Sequence, residues 1–131
     1  MKNFILKLVV LFGFLFLPTI VKAQTFIITD IDFPSSISQT IQQREKDNSL
    51  GEEIKLEFFD KSVRVIISGR NGEKENGIFD KVGDNKYELT DKRGGKMILE
   101  LNTLLGYIKS IKLYSQGNTR YDGTIIIAKR K

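Results

Sequence analysis

The sequence of 131 residues contains no cysteine, no histidine and no tryptophan. Without cysteine no disulfide can brace the domain in an oxidising compartment, so its stability has to come from the apolar core. Without histidine and cysteine, Ser-His-Asp triads, cysteine nucleophiles, and zinc or haem sites that use these residues are excluded. Catalysis would have to rest on carboxylates, lysine, tyrosine or serine. We therefore expect a protein that is not an enzyme and uses no cofactor.

The first 23 residues have the three regions of a secretory signal peptide. Two lysines precede an apolar run over residues 8–17, and Pro18 ends that run. Val21 and Ala23 place modest side chains three positions and one position before a peptidase site. A transmembrane helix needs about 20 apolar residues, roughly twice the length of this run, so cleavage is favoured over a retained anchor. The sequence predicts a secreted or periplasmic protein in which residues 24–131 form one small β domain.

Removal of the leader changes the charge of the protein. The full chain has 21 Lys and Arg against 16 Asp and Glu, a net charge of +5. Three of the lysines lie in the leader, so the remaining chain carries 18 against 16, or +2. A nucleic-acid groove needs cations concentrated on one face, which the sequence does not indicate. We expect no nucleic-acid partner and, after cleavage, no membrane span.

The apolar residues after the leader favour strands. Fifteen are isoleucine and only Ala128 is alanine, whereas β-branched residues suit pleated sheets and alanine suits helices. Alternation of apolar and polar residues marks eight candidate strands joined mostly by short turns. This pattern predicts an all-β fold, an antiparallel meander that forms a small barrel or a two-sheet sandwich. The barrel is favoured because nearly every connection has hairpin length.

The clearest hairpin turns at Asp60-Lys61. A two-residue turn there places the apolar alternation of both strands on one face, and it sets Glu57 opposite Arg64 on the other face. Such a cross-strand charge pair contributes a few tenths of a kcal/mol. The register pairs Phe58 with Val63, Leu56 with Val65 and Ile54 with Ile67.

The sequence leaves one later register undecided and predicts the faces of another strand. A two-residue turn after residues 78–82 would pair Val82 with Tyr87 but would set Asp80 against Leu89, a conflict that a bulge can resolve. In residues 107–114, simple alternation places Tyr107, Lys109, Ile111 and Leu113 on one face.

One short helix is predicted after the first strand. Ser36 and Gln39 have the spacing of a capping box, and Ile37 and Ile41 lie one helical turn apart. The helix is expected from Ser36 to about Arg44, docked by the two isoleucines. A polar loop is expected from residue 45 to residue 51.

The first strand carries the one pair of acids with a possible chemical role. Asp30 and Asp32 alternate with Thr29 and Ile31, so the two carboxylates share a face. That spacing suits a hard cation or an acid–base pair. A solvated strand end before Pro34 is the commoner explanation, so no metal site is expected and the pair is only a weak candidate.

Five residues are candidates for binding a ligand or partner. Tyr121 in the last loop lies beside Arg120, and exposed pairs of this kind are typical contact residues. Tyr87 is an aromatic residue on a strand, where most aromatics belong to the core. Ile37 and Ile41 of the predicted helix complete the set.

In strand number and in the helical segment after an early strand, the chain resembles the calycin architecture of lipocalins and fatty-acid-binding proteins. The Gly-x-Trp signature of lipocalins is absent, since there is no tryptophan. The resemblance implies a binding module for a small apolar ligand. The alternative is a protein–protein interaction module of the cell envelope or exterior, such as an inhibitor, an assembly factor or a surface component.

Overall fold

In the computed structural model the described residues are 22–69, 72, 74–92, 94–117 and 122–131. Within them, eight antiparallel strands follow one another in chain order around a closed barrel, and one helix lies between the first and second strands. The predicted all-β meander is confirmed, and of its two forms the barrel is the one adopted. The elements are β1 Lys22–Asp32, α1 Gln39–Ser49, β2 Glu53–Phe58, β3 Ser62–Ser68, β4 Lys74–Gly83, β5 Lys86–Thr90, β6 Lys96–Leu104, β7 Tyr107–Gln116 and β8 Ile125–Arg130.

The barrel is closed by β1, which pairs with both β2 and β8. Residues 22–27 pair with β2, and residues 26–32 pair with β8. Lys22 and Ala23, the last two residues of the predicted leader, are the first two residues of this strand. Residues 1–21 lie outside the described residues, so the signal peptide stays a prediction.

A bulge in β1 changes the face on which its later residues lie. The register with β8 shifts between Ile28 and Asp30, which leaves Thr29 as the extra residue. As a result Ile28 and Ile31 are both buried in the core, although residues three apart in a regular strand lie on opposite faces. Such a bulge bends the strand and increases its twist, as a closed barrel requires.

The interior of the barrel is packed with aliphatic and aromatic side chains. Burying one of them fully contributes about 1.5–3 kcal/mol, and in the absence of cysteine this core is the main source of stability. The largest side chains with no appreciable exposure are Phe26, Ile54, Leu56, Val63, Leu99, Ile111 and Leu113.

The β2–β3 hairpin has the register that the sequence predicts. All three apolar pairs are present, and Glu57 lies opposite Arg64 on the outer face. The Arg64 Nη1 is 3.4 Å from the Glu57 Oε1, and the Lys55 Nζ is 3.8 Å from the other carboxylate oxygen. The predicted charge pair is therefore confirmed.

Bulges also set the registers of two later strand pairs. Between β4 and β5 the register shifts at Val82, so that Lys81 rather than Val82 pairs with Tyr87, which confirms the bulge. Between β6 and β7 a second shift places Ile108 inside the barrel and Tyr107 outside. The prediction that Tyr107 shares a face with the buried residues of β7 is therefore wrong.

The helix begins and ends later than predicted. Its N-cap is Ser38, whose Oγ accepts a hydrogen bond from the Ile41 N–H at 3.4 Å, so the predicted capping box at Ser36 is wrong. The reason is the preceding turn, in which the Ile37 N–H donates to the Pro34 carbonyl at 3.1 Å. The helix then continues to Ser49 through most of the predicted loop.

The meander gives the barrel two different ends. The β1–α1–β2, β3–β4, β5–β6 and β7–β8 connections lie at one end, which we call the helix end. The β2–β3, β4–β5 and β6–β7 turns lie at the other, together with the start of β1 and the end of β8, and we call this the hairpin end.

The β6–β7 turn at the hairpin end has an unusual residue at its apex. Leu104 pairs with Tyr107, so Leu105 and Gly106 form a two-residue turn, and their φ angles are +51° and +83°. Positive φ at both positions defines a type I′ turn, for which Asn-Gly is the preferred sequence. Residues other than glycine, asparagine and aspartate rarely adopt this conformation, which costs about 1–2 kcal/mol. The side chain of Leu105 is also 92% exposed, so burial does not offset that cost.

We predict that Leu105→Asn stabilises the protein by about 1 kcal/mol, because asparagine tolerates the left-handed backbone. The measurement is the free energy of unfolding from urea denaturation. The reverse exchange, Asn85→Leu, is the matched control, since Asn85 has a φ of +60° in the β4–β5 turn. It should destabilise by a similar amount, and a loss of stability in Leu105→Asn would contradict the strain assigned to this turn.

Candidate functional site

A pocket of about 360 Å³ lies at the helix end of the barrel. Its walls come from the last residues of β1, the first residues of β6 and β8, and the last residues of β7. These segments meet because antiparallel strands in a closed meander bring alternate strand ends to the same rim. The apolar side chains that line it are Ile31, Phe33, Met97, Leu113 and Ile126.

Helix α1 forms one side of this pocket through Glu45 and Ser49. No residue of the helix is buried, and its sequence QTIQQREKDNS has a single apolar side chain. A helix that is polar on nearly all sides gains little from packing on a core, and short helices are marginal by themselves. The pocket therefore has rigid strand walls and one weakly held helical wall.

Among the polar residues that line the pocket, Thr124 and Glu45 bear most directly on what an occupant could be. The Oγ1 of Thr124 is buried and has no hydrogen-bond partner among the described residues. The Glu45 carboxylate, about one third exposed, lies at the rim, and its Oε1 is 4.0 Å from the Arg44 Nε. Burying a hydroxyl without a partner is unfavourable, so Thr124 is available to a ligand that supplies one.

The binding candidates from the sequence lie in different places. Ile37 is buried in the connection before α1, and Ile41 is half-buried on the helix, but neither is among the described residues that line the pocket. Tyr87 is buried towards the hairpin end, with its ring 6.2 Å from that of Phe58 in an edge-on contact. Burial raises the pKa of Tyr87, and its position is that of a core residue.

The last-loop pair, Arg120 and Tyr121, lies outside the described residues, so its binding role stays a prediction. The structure does not bring the other candidates together into one site.

The acidic pair on β1 does not become a larger cluster. Asp30 and Asp32 are both exposed, and Asp30 accepts a hydrogen bond from the Thr29 hydroxyl at 2.9 Å. Asp80 and Asp84 lie towards the hairpin end, whereas the β1 acids lie towards the helix end. In the described part of the chain, no group of three or more acidic side chains is positioned to hold a metal ion.

The sequence did not single out the residues that line the pocket. Met97 and Leu113 have the alternation of ordinary apolar strand residues, and Ile126 lies in the middle of three consecutive isoleucines. Thr124 had no distinguishing pattern. Each lies close to a strand end, but the topology is needed to show that these ends form one rim.

Tyr114 is also among the residues that line the pocket, and its hydroxyl donates a hydrogen bond to the Glu100 Oε1 at 2.5 Å. This hydrogen bond, together with partial burial and the nearby negative charges, raises the pKa of Tyr114 to about 12. The hydrogen bond ties β6 to β7, since the two residues lie on these adjacent strands. The neutral hydroxyl is therefore the form that the folded protein favours.

We predict a stability difference at alkaline pH between the wild type and Tyr114→Phe. Because the folded pKa lies above the ordinary value of 10.0, the stabilisation is complete below pH 10 and is lost as the pH rises towards 12. Below pH 10 the variant should be less stable by about 1 kcal/mol, the value of a typical hydrogen bond. Urea denaturation from pH 8 to pH 12 measures the difference, which should shrink across the upper part of this range. A difference that does not change with pH would contradict the assignment.

No family model, no curated protein and no solved structure matches the chain. Within the described residues, no helix has the length and apolar character needed to cross a bilayer. The barrel, its pocket and its surface are therefore the observations on which a function can be based.

Proposed function

We propose that the protein is a secreted or periplasmic, non-catalytic binding module that holds a small apolar ligand at the helix end of its barrel. The pocket of about 360 Å³ is the observation that supports this proposal. Ligand sites in proteins have volumes of about 300–1,000 Å³ and are lined mainly by apolar side chains with a few polar groups. This pocket has that composition, while the middle of the barrel is packed with side chains.

Thr124 and Glu45 restrict the chemistry of the ligand. A hydrogen-bonding head group would satisfy the Thr124 hydroxyl, while the apolar body would lie against Phe33, Met97 and Ile126. An anionic head group would be repelled by the Glu45 carboxylate at the rim, because the largely exposed Arg44 at 4.0 Å offsets this charge only in part. A neutral amphiphile, such as a fatty alcohol, therefore fits better than a fatty acid.

Helix α1 provides a route of entry. Because none of its residues is buried, moving it away from the rim breaks few apolar contacts, and segments of low local stability open readily. The same order of strand, helix and strand underlies the resemblance to calycins, which is an analogy at the level of fold.

Composition supports a role other than catalysis. The chain has no histidine or cysteine, and Glu45 is the one carboxylate among the described residues that line the pocket. The alternative function, a protein–protein interaction module of the cell envelope or exterior, would not use this pocket. Filling the pocket distinguishes the two functions.

We predict that Ile126→Phe weakens ligand binding by about tenfold or more, since the larger ring occupies the pocket and tenfold corresponds to about 1.4 kcal/mol. The probe is the neutral dye N-phenyl-1-naphthylamine, titrated by fluorescence. Ile127→Phe is the matched control, because Ile127 is the adjacent residue of β8 and points away from the core cluster. Native mass spectrometry of the purified protein shows whether a ligand is retained.

Thermal unfolding of both variants checks that an overpacked core has not unfolded the protein, since overpacking can cost about 1–3 kcal/mol. If the folded wild type does not bind the dye, or if Ile126→Phe binds it as well as the wild type does, the pocket is not the binding site.

We predict that decanol binds several-fold more tightly than decanoate, and that Glu45→Gln reduces this preference by removing the repulsion. The measurement is displacement of the same dye near pH 8, where decanoate is ionised. Asp47→Asn is the control, since Asp47 lies on the exposed side of the same helix. An equal preference in wild type and Glu45→Gln would contradict the role given to Glu45.

A further inference from the structure

At the hairpin end, the β6–β7 turn presents apolar side chains to solvent. Leu104 is 46% exposed, Leu105 is 92% exposed and Tyr107 is 39% exposed. Leu105 also has the strained backbone described above, which asparagine would adopt at lower cost. Neither packing nor turn geometry explains a leucine at this apex. An interaction of Leu105 with another molecule would explain it.

A further exposed apolar side chain lies near the β4–β5 turn at the same end of the barrel. The Leu101 N–H donates to the Asn85 carbonyl at 2.8 Å, so the β4–β5 turn lies beside the middle of β6. Val82, at the bulge next to the β4–β5 turn, is 52% exposed. Leu104, Leu105 and Tyr107 belong to one turn, and contiguous exposed apolar patches mark sites of interaction with a protein or a membrane.

Basic residues lie around this apolar turn. Lys109 is at the bulge of β7, and Lys129 pairs with Ser110 of the same strand. The Arg130 guanidinium lies 5.6 Å from the centre of the Tyr107 ring. None of the three cations forms an ion pair with another described residue. Asp84 in the adjacent turn offsets only part of this positive charge.

The geometry and the charge together favour an anionic lipid surface over a protein groove. A protruding turn with leucines at its tip and cations behind it matches a bilayer, whose apolar interior lies beneath a layer of phosphates. Each Lys or Arg near an anionic membrane contributes about 1 kcal/mol.

We propose that the hairpin end is a peripheral membrane-docking surface. Leu104 and Leu105 enter the interface of an anionic bilayer, while Lys109, Lys129 and Arg130 bind lipid phosphates. The pocket lies at the opposite end of the barrel, so it stays open to solvent when the protein is docked. This proposal does not depend on the proposed ligand.

The experiment is co-sedimentation of the purified protein with two kinds of vesicle, after intact mass has established whether the leader is present. One kind contains phosphatidylcholine alone and the other contains phosphatidylcholine mixed with phosphatidylglycerol. We expect binding to the anionic vesicles at least about tenfold tighter than to the neutral ones, as three cations at about 1 kcal/mol each imply. Added salt should weaken it.

The main variant is Leu105→Asn, which is expected to keep the turn and to raise stability. It should reduce binding to anionic vesicles about tenfold, because the apical side chain no longer enters the interface. Leu50→Asn is the matched control, since Leu50 is an exposed leucine at the helix end, and it should bind as the wild type does.

The double variant Lys109→Gln, Lys129→Gln should also weaken binding about tenfold. The matched control is the double variant Lys74→Gln, Lys92→Gln, which removes two exposed lysines at the helix end and should bind as the wild type does.

Three results would overturn the proposal. The first is equal binding to both vesicles, and the second is equal binding by wild type and Leu105→Asn. The third is absence of vesicle binding together with self-association that Leu105→Asn abolishes, which would indicate a protein interface.

Discussion

Closure of the barrel by β1 is the constraint on which the rest of the structure depends. This strand pairs with β2 through its first half and with β8 through its second, and the bulge at Thr29 bends it so that it can pair with both. Closure leaves no unpaired sheet edge in the barrel, a useful property for a small domain without disulfides. It also fixes which strand ends meet at each rim, and so it creates both the pocket and the exposed turn.

The two ends of the barrel differ because the apolar side chains are distributed unevenly along its axis. The middle is packed, and the hairpin end is filled by contacts such as that of Tyr87 with Phe58. At the helix end the packing stops short of the rim, and α1 covers the remaining space without burying any of its residues. A binding role for this end and a docking role for the other would leave each surface free for its own partner.

Three features work against folding and coincide with the surfaces to which we assign a role. Leu105 holds a strained and exposed position, Thr124 buries a hydroxyl without a partner among the described residues, and α1 is too polar to pack firmly. Proteins tend to break local rules of stability at functional sites and to compensate elsewhere. Here the compensation comes from the aliphatic interior, whose residues are fully buried in five of the eight strands.

The sequence by itself determined the strand content, the eight-stranded meander and the register of the β2–β3 hairpin. These follow from local patterns, since isoleucine-rich alternation and the Glu57–Arg64 pair act between neighbours in the chain. It also indicated a helix after β1, but it misplaced the cap, because the turn at Pro34 competes with the capping box.

Only the tertiary structure decided the faces of Ile31 and Tyr107, since a single bulged residue reverses the alternation beyond it. Only the closed barrel could reveal the pocket and the leucine turn, because their residues are distant in sequence and meet through the pairing of strand ends.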